Sequence, residues 1–432
     1  MPNHSRRAVG ASTGILAALV LVSLALRPQL AGIGPLSGRI IDDLGVSHAF
    51  VGLLTAIPIL CMGLFAPVGP VLAAKAGARD AIVLSSGIVA LAGLARALAP
   101  GELAIVALTL LIGIATATSG PLLAMFVRGR LHEHRVAGTA AYAGGTTLGA
   151  AIAAGAVVPL AVALGGWRAS MAAVSAASLA GALAWTVLVP RGARDATTAT
   201  AVTDGAAFDA AGTTVPDAER PATGVPSRPG RLALPVRRPV VWALGLLFGI
   251  QSAVFYGTNA WLPALFVERG WDAASAAALL SLSSFAGLAS ILVAPAASRR
   301  GVERRQLLVT AASSAALGIS GVVVLPGLGW VWAVVLGAGL GLMFTTVLTL
   351  PTDVAADARE AGGASALMLL VGYLIASASP FALGAARDAT GSFAVSLWLL
   401  LALAASMLPL SWLMSPSRLR PRAPALPESV VV

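Results

Sequence analysis

The 432-residue chain is poor in charged residues and contains a single cysteine. Asp, Glu, Lys and Arg together make up 11% of it, whereas an ordinary soluble domain carries about 25%. Hydrophobic residues make up 58%, so a soluble globular protein is excluded and a polytopic membrane protein is indicated. The single cysteine, Cys61, excludes an intramolecular disulfide, and its apolar neighbours indicate a packing role.

The sequence also lacks the motifs of common enzymes and metal sites. Gly-x-Ser-x-Gly, phosphate-binding loops and zinc-protease patterns are absent. The metal-like fragment His132-Glu133-His134 lies in a basic loop without a further ligand nearby, so a solvated loop is the better interpretation. The net charge is +10, but no basic patch alternates with exposed aromatic residues, as nucleic-acid binding would require. We therefore expect no enzymatic activity, no cofactor, no metal and no nucleic-acid partner.

Twelve apolar windows have about the length that a helix needs to cross a bilayer, roughly 20 residues. They predict an all-α integral membrane protein with twelve transmembrane helices. The windows are 12–36, 49–73, 81–99, 103–127, 137–164, 169–189, 240–266, 273–297, 307–325, 330–352, 363–385 and 393–414.

Basic residues are distributed unequally between the two sets of connections. With an even number of spans both termini share one side, and 22 Lys and Arg residues fall on that side. The opposite connections hold only Arg39, Arg168, Arg269 and Arg387. Because cytoplasmic loops collect Lys and Arg, we predict cytoplasmic termini in a multi-pass protein of a bacterial inner (plasma) membrane. We expect it to contact the lipid bilayer as a monomer.

Residues 190–239 interrupt the apolar pattern. They are rich in Ala, Thr, Pro, Gly, Asp and Arg without apolar periodicity, which predicts a disordered cytoplasmic linker. The linker separates a six-helix half at 1–189 from a second six-helix half at 240–414, and a cytoplasmic tail follows at 415–432. We interpret the linker as a tether; a regulatory segment is the alternative.

The two halves repeat one another. Gly45-Val-Ser47 precedes a span and a basic turn that reaches Gly77 after 32 residues, and Gly270-Trp-Asp272 precedes one that reaches Gly301 after 31. Ser47 and Asp272 stand where helix N-caps are expected. A second pair of related stretches lies at 135–166 and 359–391. Two related six-span halves are typical of secondary transporters, whose substrate site lies near the midplane between the halves.

Arg27 stands within the first apolar run, with Pro28 after it and no acidic residue nearby. An ionisable residue at membrane depth costs about 2.5–3.5 kcal/mol or more, so a functional role is the first hypothesis. Its uncompensated guanidinium favours an anionic or polar substrate, and Pro28 is expected to bend the helix beside it. The alternative is an arginine that snorkels outward or bonds free carbonyls. Arg96, four residues before Pro100, is expected to snorkel or to act as a gate.

Polar residues in other spans are candidates for the rest of the site. Ser252, Tyr256 and Asn259 share one face of span 7, since they stand at i, i+4 and i+7. We predict that Gln251, Tyr256 and Asn259 bind the substrate; the alternative is that they bond a neighbouring helix, as polar residues do in membrane bundles. The further predicted site residues are Ser119 in span 4, Thr346 in span 10 and Tyr373 in span 11.

Short stretches found in order along nearly all spans, but not in the linker, resemble a known family. They are Leu26-Arg27-Pro28 with Gly34-Pro35-Leu36, Gly52-Leu53-Leu54-Thr55 through Pro58, Gly63-Leu64-Phe65-Ala66-Pro67, Gly166-Trp167-Arg168, Gly249-Ile250-Gln251-Ser252 with Phe255-Tyr256, Trp261-Leu262-Pro263, and Gly372-Tyr373-Leu374 followed by Pro380. Together they resemble the major facilitator superfamily and, within it, the cyanate/2-nitroimidazole transporter family.

The resemblance implies alternating access, in which two six-helix halves rock around a central cavity, and it implies that Arg27 binds a small polar or anionic substrate. The superfamily's loop signature after the second span is degenerate here: Pro70 and Ala74 replace its first Gly and its Asp. The residues expected to act as gates or in the conformational change are Pro28, Arg96, Lys75, Gly77, Arg79, Arg299 and Gly301.

The combined interpretation is a secondary active transporter for a small anionic or polar nitrogen-containing compound, such as a cyanate-like or nitroimidazole-like molecule. Proton or other ion coupling stays open, because the predicted spans hold no Asp or Glu away from their ends. One alternative is a multidrug or metabolite exporter of the same fold. Another is a membrane receptor or sensor that does not transport.

Overall fold

In a computed structural model of the chain, the described residues form α-helices joined by short turns. The description covers residues 3–131, 134–191, 235–236, 238–291, 293–355 and 357–414, with side chains from residue 13 onward except at 358 and 359. This part contains twelve helical segments long and apolar enough to cross a membrane, which confirms the predicted fold class. Most of the predicted linker and the whole predicted tail lie outside the described residues, so the domain boundaries stay predictions.

The helices follow the predicted windows, and we number the spans in chain order. In the first half, span 1 comprises Asn3–Leu24, Pro28–Ala31 and Ser37–Leu44; span 2 is His48–Phe65, continued by Val68–Ala76; spans 3 to 6 are Ala78–Ala97, Glu102–Arg130, Arg135–Ala163 and Trp167–Leu188. In the second half, span 7 is Pro239–Glu268; span 8 is Ala273–Ser290, continued by Val293–Arg299; spans 9 to 12 are Arg304–Val324, Gly329–Val354, Ala358–Thr390 and Ala394–Leu413.

The repeated stretches found in the sequence begin and end at turns of the chain. Ser47 accepts a hydrogen bond from the Phe50 amide at 3.2 Å, and Asp272 accepts one from the Ser275 amide at 2.9 Å, which confirms both as N-caps. Hydrogen bonds from the side chain and the amide of Ser275 hold the pKa of the Asp272 carboxyl below its ordinary value. The glycines at the turns that bound these stretches have a positive φ, which a Cβ would strain: Gly45, Gly77, Gly166, Gly270, Gly301 and Gly391.

The two halves pack on each other mainly through spans 2 and 11 and through spans 5 and 8. A Cβ at Gly52 of span 2 would collide with the backbone of Pro380 and Phe381 in span 11. Ser281 of span 8 donates a hydrogen bond to the Ala151 carbonyl of span 5 at 2.5 Å. These contacts lie towards one end of the bundle. We call it the far end, and we call the opposite end, where the connections after spans 2, 4 and 8 lie, the basic end.

Candidate functional site

A cavity of about 1260 Å³ lies between the halves and extends towards the basic end. Spans 1, 2, 4 and 5 of the first half and spans 8 to 11 of the second half line it. Most of the wall is apolar, with Leu26, Met62, Phe285 and Phe344 among its side chains. A large, mainly apolar cleft with a few polar groups is the usual form of a small-molecule site.

Two charged side chains, Arg27 and Arg304, line the described wall of this cavity, and both are basic. Arg304 is neutralised, because its Nε lies 2.6 Å from the Asp353 carboxylate and its Nη1 donates to the Thr349 hydroxyl. Arg27 is half-buried, and its side chain makes no hydrogen bond or ion pair to a described residue. The site therefore presents one unpaired guanidinium, a group that attracts anions and hydrogen-bond acceptors.

A break in span 1 places Arg27 at the cavity wall. The first helix ends at Leu24, Arg27 occupies the N-cap position of the short helix Pro28–Ala31, and a 3-10 turn follows at Gly34–Leu36. Pro28 has no amide hydrogen to donate to the Leu24 carbonyl, so a continuous helix is interrupted at this point. The predicted bend at Pro28 is confirmed, and it is a complete interruption of the helix.

Two tyrosines lie at or behind the cavity wall. Tyr373 lines the cavity and packs edge-on against Phe248, with ring centroids 5.3 Å apart. The Tyr373 phenol lies within electrostatic range of both Arg27 and Tyr256. Tyr256 itself donates to the Met62 sulfur at 3.8 Å, directly behind the wall. The Tyr373 phenol of span 11 is therefore part of the cavity wall, whereas the Tyr256 phenol of span 7 lies behind Met62 of that wall.

Ser119 and Thr346 line the cavity on opposite halves, as does Tyr373. The Ser119 hydroxyl donates to the Ala115 carbonyl at 2.8 Å, and the Thr346 hydroxyl donates to the Leu342 carbonyl at 2.7 Å. The Ser119 hydroxyl also lies 3.2 Å from the Ser85 hydroxyl of span 3, so both side chains are already hydrogen-bonded within the protein, and their oxygens keep acceptor capacity. Thr116, 8% exposed, also lines the wall, and its hydroxyl has no partner among the described residues.

Gln251 and Asn259 do not line the cavity in the described structure. The Gln251 side chain is buried, with its amide nitrogen 3.5 Å from the Leu340 carbonyl and its oxygen accepting from Ser252. Asn259 donates to the Phe255 carbonyl at 2.8 Å. Both side chains therefore bond to the protein in this state, and their role as substrate ligands stays a prediction, as does that of Tyr256.

The predicted gate residues occupy the basic end, apart from Pro28 and Arg96. Arg79 donates to the Val189 carbonyl at 2.7 Å and to the Thr186 carbonyl at 2.9 Å, and it pairs with Asp80 at 2.5 Å. It thus fixes the basic turn to the end of span 6. Lys75 and Arg299 are exposed. Gly77 and Gly301 end the corresponding helices of the two halves, and their part in a conformational change stays a prediction.

Arg96 does not snorkel to the surface, which was one of the two roles expected from the sequence; the other, a gate role, stays a prediction. Its side chain is 4% exposed and donates to Gln29 of span 1 and to Thr109 of span 4. Snorkelling was wrong because Arg96 ends a helix that packs against the break in span 1, where Gln29 offers oxygens inside the protein. The position of Arg96 four residues before Pro100 indicated only that it lies near the end of its span, and not that it packs against span 1.

A contact across the far end was also missed. Asp388 of span 11 accepts hydrogen bonds from the amides of His48 and Ala49, at 3.0 and 2.8 Å, and from the His48 ring at 2.7 Å. These residues are 340 positions apart. The only available sequence signal was an acidic residue at one span end and a histidine at the start of another.

The described residues contain no group of three or more His, Cys, Asp or Glu side chains that could hold a metal ion. The site that they form is a mainly apolar cavity with one unpaired cation and several hydroxyl groups. Its chemistry is suited to binding a small molecule with hydrogen-bond acceptors.

Comparison with known proteins agrees with this geometry. The family profile described as Major Facilitator Superfamily matches residues 7–380. The cyanate transport protein CynX of Escherichia coli (strain K12) is 29% identical over 387 residues, which is 88% of this chain and 91% of that protein. The 2-nitroimidazole transporter of the same organism is 27% identical over 388 residues, 89% and 90% of the two chains. The crystal structure of a D-xylose-proton symporter has a TM-score of 0.71 at 15% identity, covering 94% of this chain and 98% of that one.

Proposed function

This chain belongs to the major facilitator superfamily and is a transporter, and we propose that it moves a small anionic or polar nitrogen-containing compound by alternating access. The observation that carries the proposal is Arg27, an unpaired cation in a cavity whose described wall holds no acidic side chain. A guanidinium left without a partner at membrane depth is costly, and a substrate that supplies the missing acceptor would offset that cost.

The relatives support the substrate class. The two Escherichia coli proteins are named for cyanate and for 2-nitroimidazole. Cyanate is a small anion, and a nitroimidazole presents two nitro oxygens as acceptors, so both suit the planar donor fork of an arginine. The hydroxyls of Ser119, Thr346 and Tyr373 would contact the rest of the molecule. A pocket of about 1260 Å³ exceeds the volume of either compound, so water would fill the remainder.

The arrangement of the two ends supports alternating access. The cavity extends towards the basic end, while the far end is closed by contacts between spans 2 and 11 and between spans 5 and 8. If the basic end is cytoplasmic, as its excess of arginine favours, this is a state open to the cytoplasm. Transport would then require the far-end contacts to break and the basic-end mouth to close.

Substrate counterflow into proteoliposomes tests the proposal, with labelled cyanate and labelled 2-nitroimidazole as the two probes. We expect exchange of at least one probe by the wild type and none above background by Arg27→Ala. Arg27→Lys should also lose most exchange, because a lysine keeps the charge but not the planar fork. Loss of a charge-assisted hydrogen bond of about 1.5–3 kcal/mol lowers affinity by about tenfold to 150-fold.

Arg39→Ala is the matched control, since Arg39 lies in the same span and is exposed near the far end. It removes the same charge without touching the cavity, and we expect normal exchange. Normal exchange by a well-expressed Arg27→Ala variant would contradict the proposal. Efflux of hydrophobic cations in the same vesicles would instead favour a multidrug exporter.

A further inference from the structure

The break in span 1 leaves backbone oxygens inside the protein that need donors. A buried carbonyl without a hydrogen bond is destabilising, above all where no bulk water is available. Ser178 of span 6 donates to the Ala25 carbonyl at 2.8 Å. Arg96 of span 3 donates to the Gln29 carbonyl at 3.1 Å. Side chains of spans 3 and 6 therefore donate hydrogen bonds to backbone carbonyls on both sides of Arg27.

Arg96 also binds the side chain of Gln29, which is completely buried. Its Nη2 lies 2.9 Å from the Gln29 side-chain oxygen, and its Nη1 lies 3.3 Å from the Thr109 hydroxyl. Gln29 in turn donates from Nε2 to the Ser175 hydroxyl at 2.7 Å. This network, Arg96, Gln29, Thr109 and Ser175, joins spans 1, 3, 4 and 6 and fixes the Gln29 side chain from both of its polar atoms.

The network holds a buried guanidinium without a carboxylate. Within the described part of the chain, Arg96 forms no salt bridge, and the hydrogen-bond acceptors that it contacts are neutral oxygens. The wall behind Gln29 is tight as well. A Cβ at Gly93 would lie 2.8 Å from Gln29 Nε2 and 2.6 Å from the Ser175 hydroxyl. Gln29 therefore has little room to move, and it lies two residues from Arg27.

We propose that Arg96 is a positioning residue, which fixes the short helix Pro28–Ala31 through Gln29 and thereby holds the Arg27 side chain in the cavity. Arg96 does not line the cavity and acts on the site only through Gln29. The importance of this role for transport rests on the proposed function, in which Arg27 binds the substrate. The orientation of residue 27 itself does not depend on what is transported.

Cysteine accessibility tests the positioning directly. In a Cys61→Ala background, which removes the single native thiol, Arg27→Cys is labelled with the anionic reagent (2-sulfonatoethyl) methanethiosulfonate. We expect Arg96→Met to slow this labelling by about tenfold, because it removes both hydrogen bonds that Arg96 makes to Gln29. Thr346→Cys, on the opposite wall of the cavity, is the matched control, and its rate should change by less than about twofold.

Two outcomes would overturn the proposal. An unchanged labelling rate at residue 27 in Arg96→Met would mean that the short helix Pro28–Ala31 keeps its position without Arg96. Equal slowing at residues 27 and 346 would mean that the whole cavity collapses, or that the lost positive charge of Arg96 weakens the attraction of the anionic reagent everywhere in it. Because no substrate is involved, a failure here is distinguishable from a failure of the transport proposal, which the counterflow assay reports.

A second pair of variants gives the same test if Arg96→Met does not fold. Gln29→Glu keeps an oxygen acceptor for Arg96, whereas Gln29→Met removes it at similar length. We expect Arg27→Cys to be labelled at nearly the wild-type rate with Gln29→Glu and about tenfold more slowly with Gln29→Met. Equal rates in the two variants would contradict the proposal.

Discussion

Asp388 of the second half caps the helix that His48 begins in the first half. Its carboxylate accepts from the His48 and Ala49 amides and from the His48 ring, over 2.7 to 3.0 Å. The first amides of a helix have no partner inside it and favour negative charge. Ser47 of the same half takes the next amide, that of Phe50. Opening of the far end would therefore break these hydrogen bonds, so that the His48 and Ala49 amides and the Asp388 carboxylate would have to bond to water instead.

Asp388→Ala should weaken the closure of the far end. A lost cap costs about 1 kcal/mol, so we expect the population with an open far end to rise by about fivefold. Spin labels at Asp42 and Ala389, both exposed on opposite halves of the far end, would report this as an added long-distance component. Asp272→Ala is the control, because Asp272 caps a helix of its own half. An unchanged distance distribution in Asp388→Ala would contradict the assignment.

Gly52→Val should prevent the far end from closing, because a side chain there would collide with the backbone of Pro380 and Phe381. Overpacking of this kind costs about 1–3 kcal/mol or more, so we expect counterflow to fall by at least about fivefold while the protein still reaches the membrane. Gly87→Val is the control, since a Cβ at Gly87 meets nothing within 4 Å. Equal transport by the two variants would show that the closed state is not part of the cycle.

Two threonines of span 4 should respond differently to the same substitution. Thr116→Val removes an unpartnered hydroxyl that lines the cavity, so we expect weaker probe binding with little change in thermal stability. Thr109→Val removes an acceptor from buried Arg96 and should lower stability by about 1–3 kcal/mol. Thermal unfolding with and without 2-nitroimidazole separates the two effects. Loss of stability in Thr116→Val but not in Thr109→Val would contradict this account of the wall.

Features with a local cause were predictable from the sequence. The length of the apolar windows gave the twelve spans, and the residues Ser47 and Asp272 gave helix starts, because capping depends on neighbours three positions away. The interruption at Pro28 followed from the missing amide hydrogen. Arg27 was identified as a cavity cation because an ionisable group is rare at membrane depth.

Features that depend on packing between distant spans were not predictable. The contact between Asp388 and His48 joins residues 340 positions apart, and neither residue is unusual at a span end. The burial of Arg96 depends on oxygens that the break in span 1 presents, so the sequence suggested a surface position. Gln251 and Asn259 were identified as polar residues within span 7, but composition alone does not say which spans line the cavity, and no residue of span 7 is part of its described wall.

Thermal stabilisation of the purified protein by cyanate and by 2-nitroimidazole tests the central claim, that Arg27 binds the substrate. A ligand at 100 times its Kd stabilises the folded state by about 2.7 kcal/mol. We predict that at least one of the two compounds raises the Tm of the wild type and of Arg39→Ala, and that Arg27→Ala shows no such increase. An equal increase of Tm in Arg27→Ala would contradict the account.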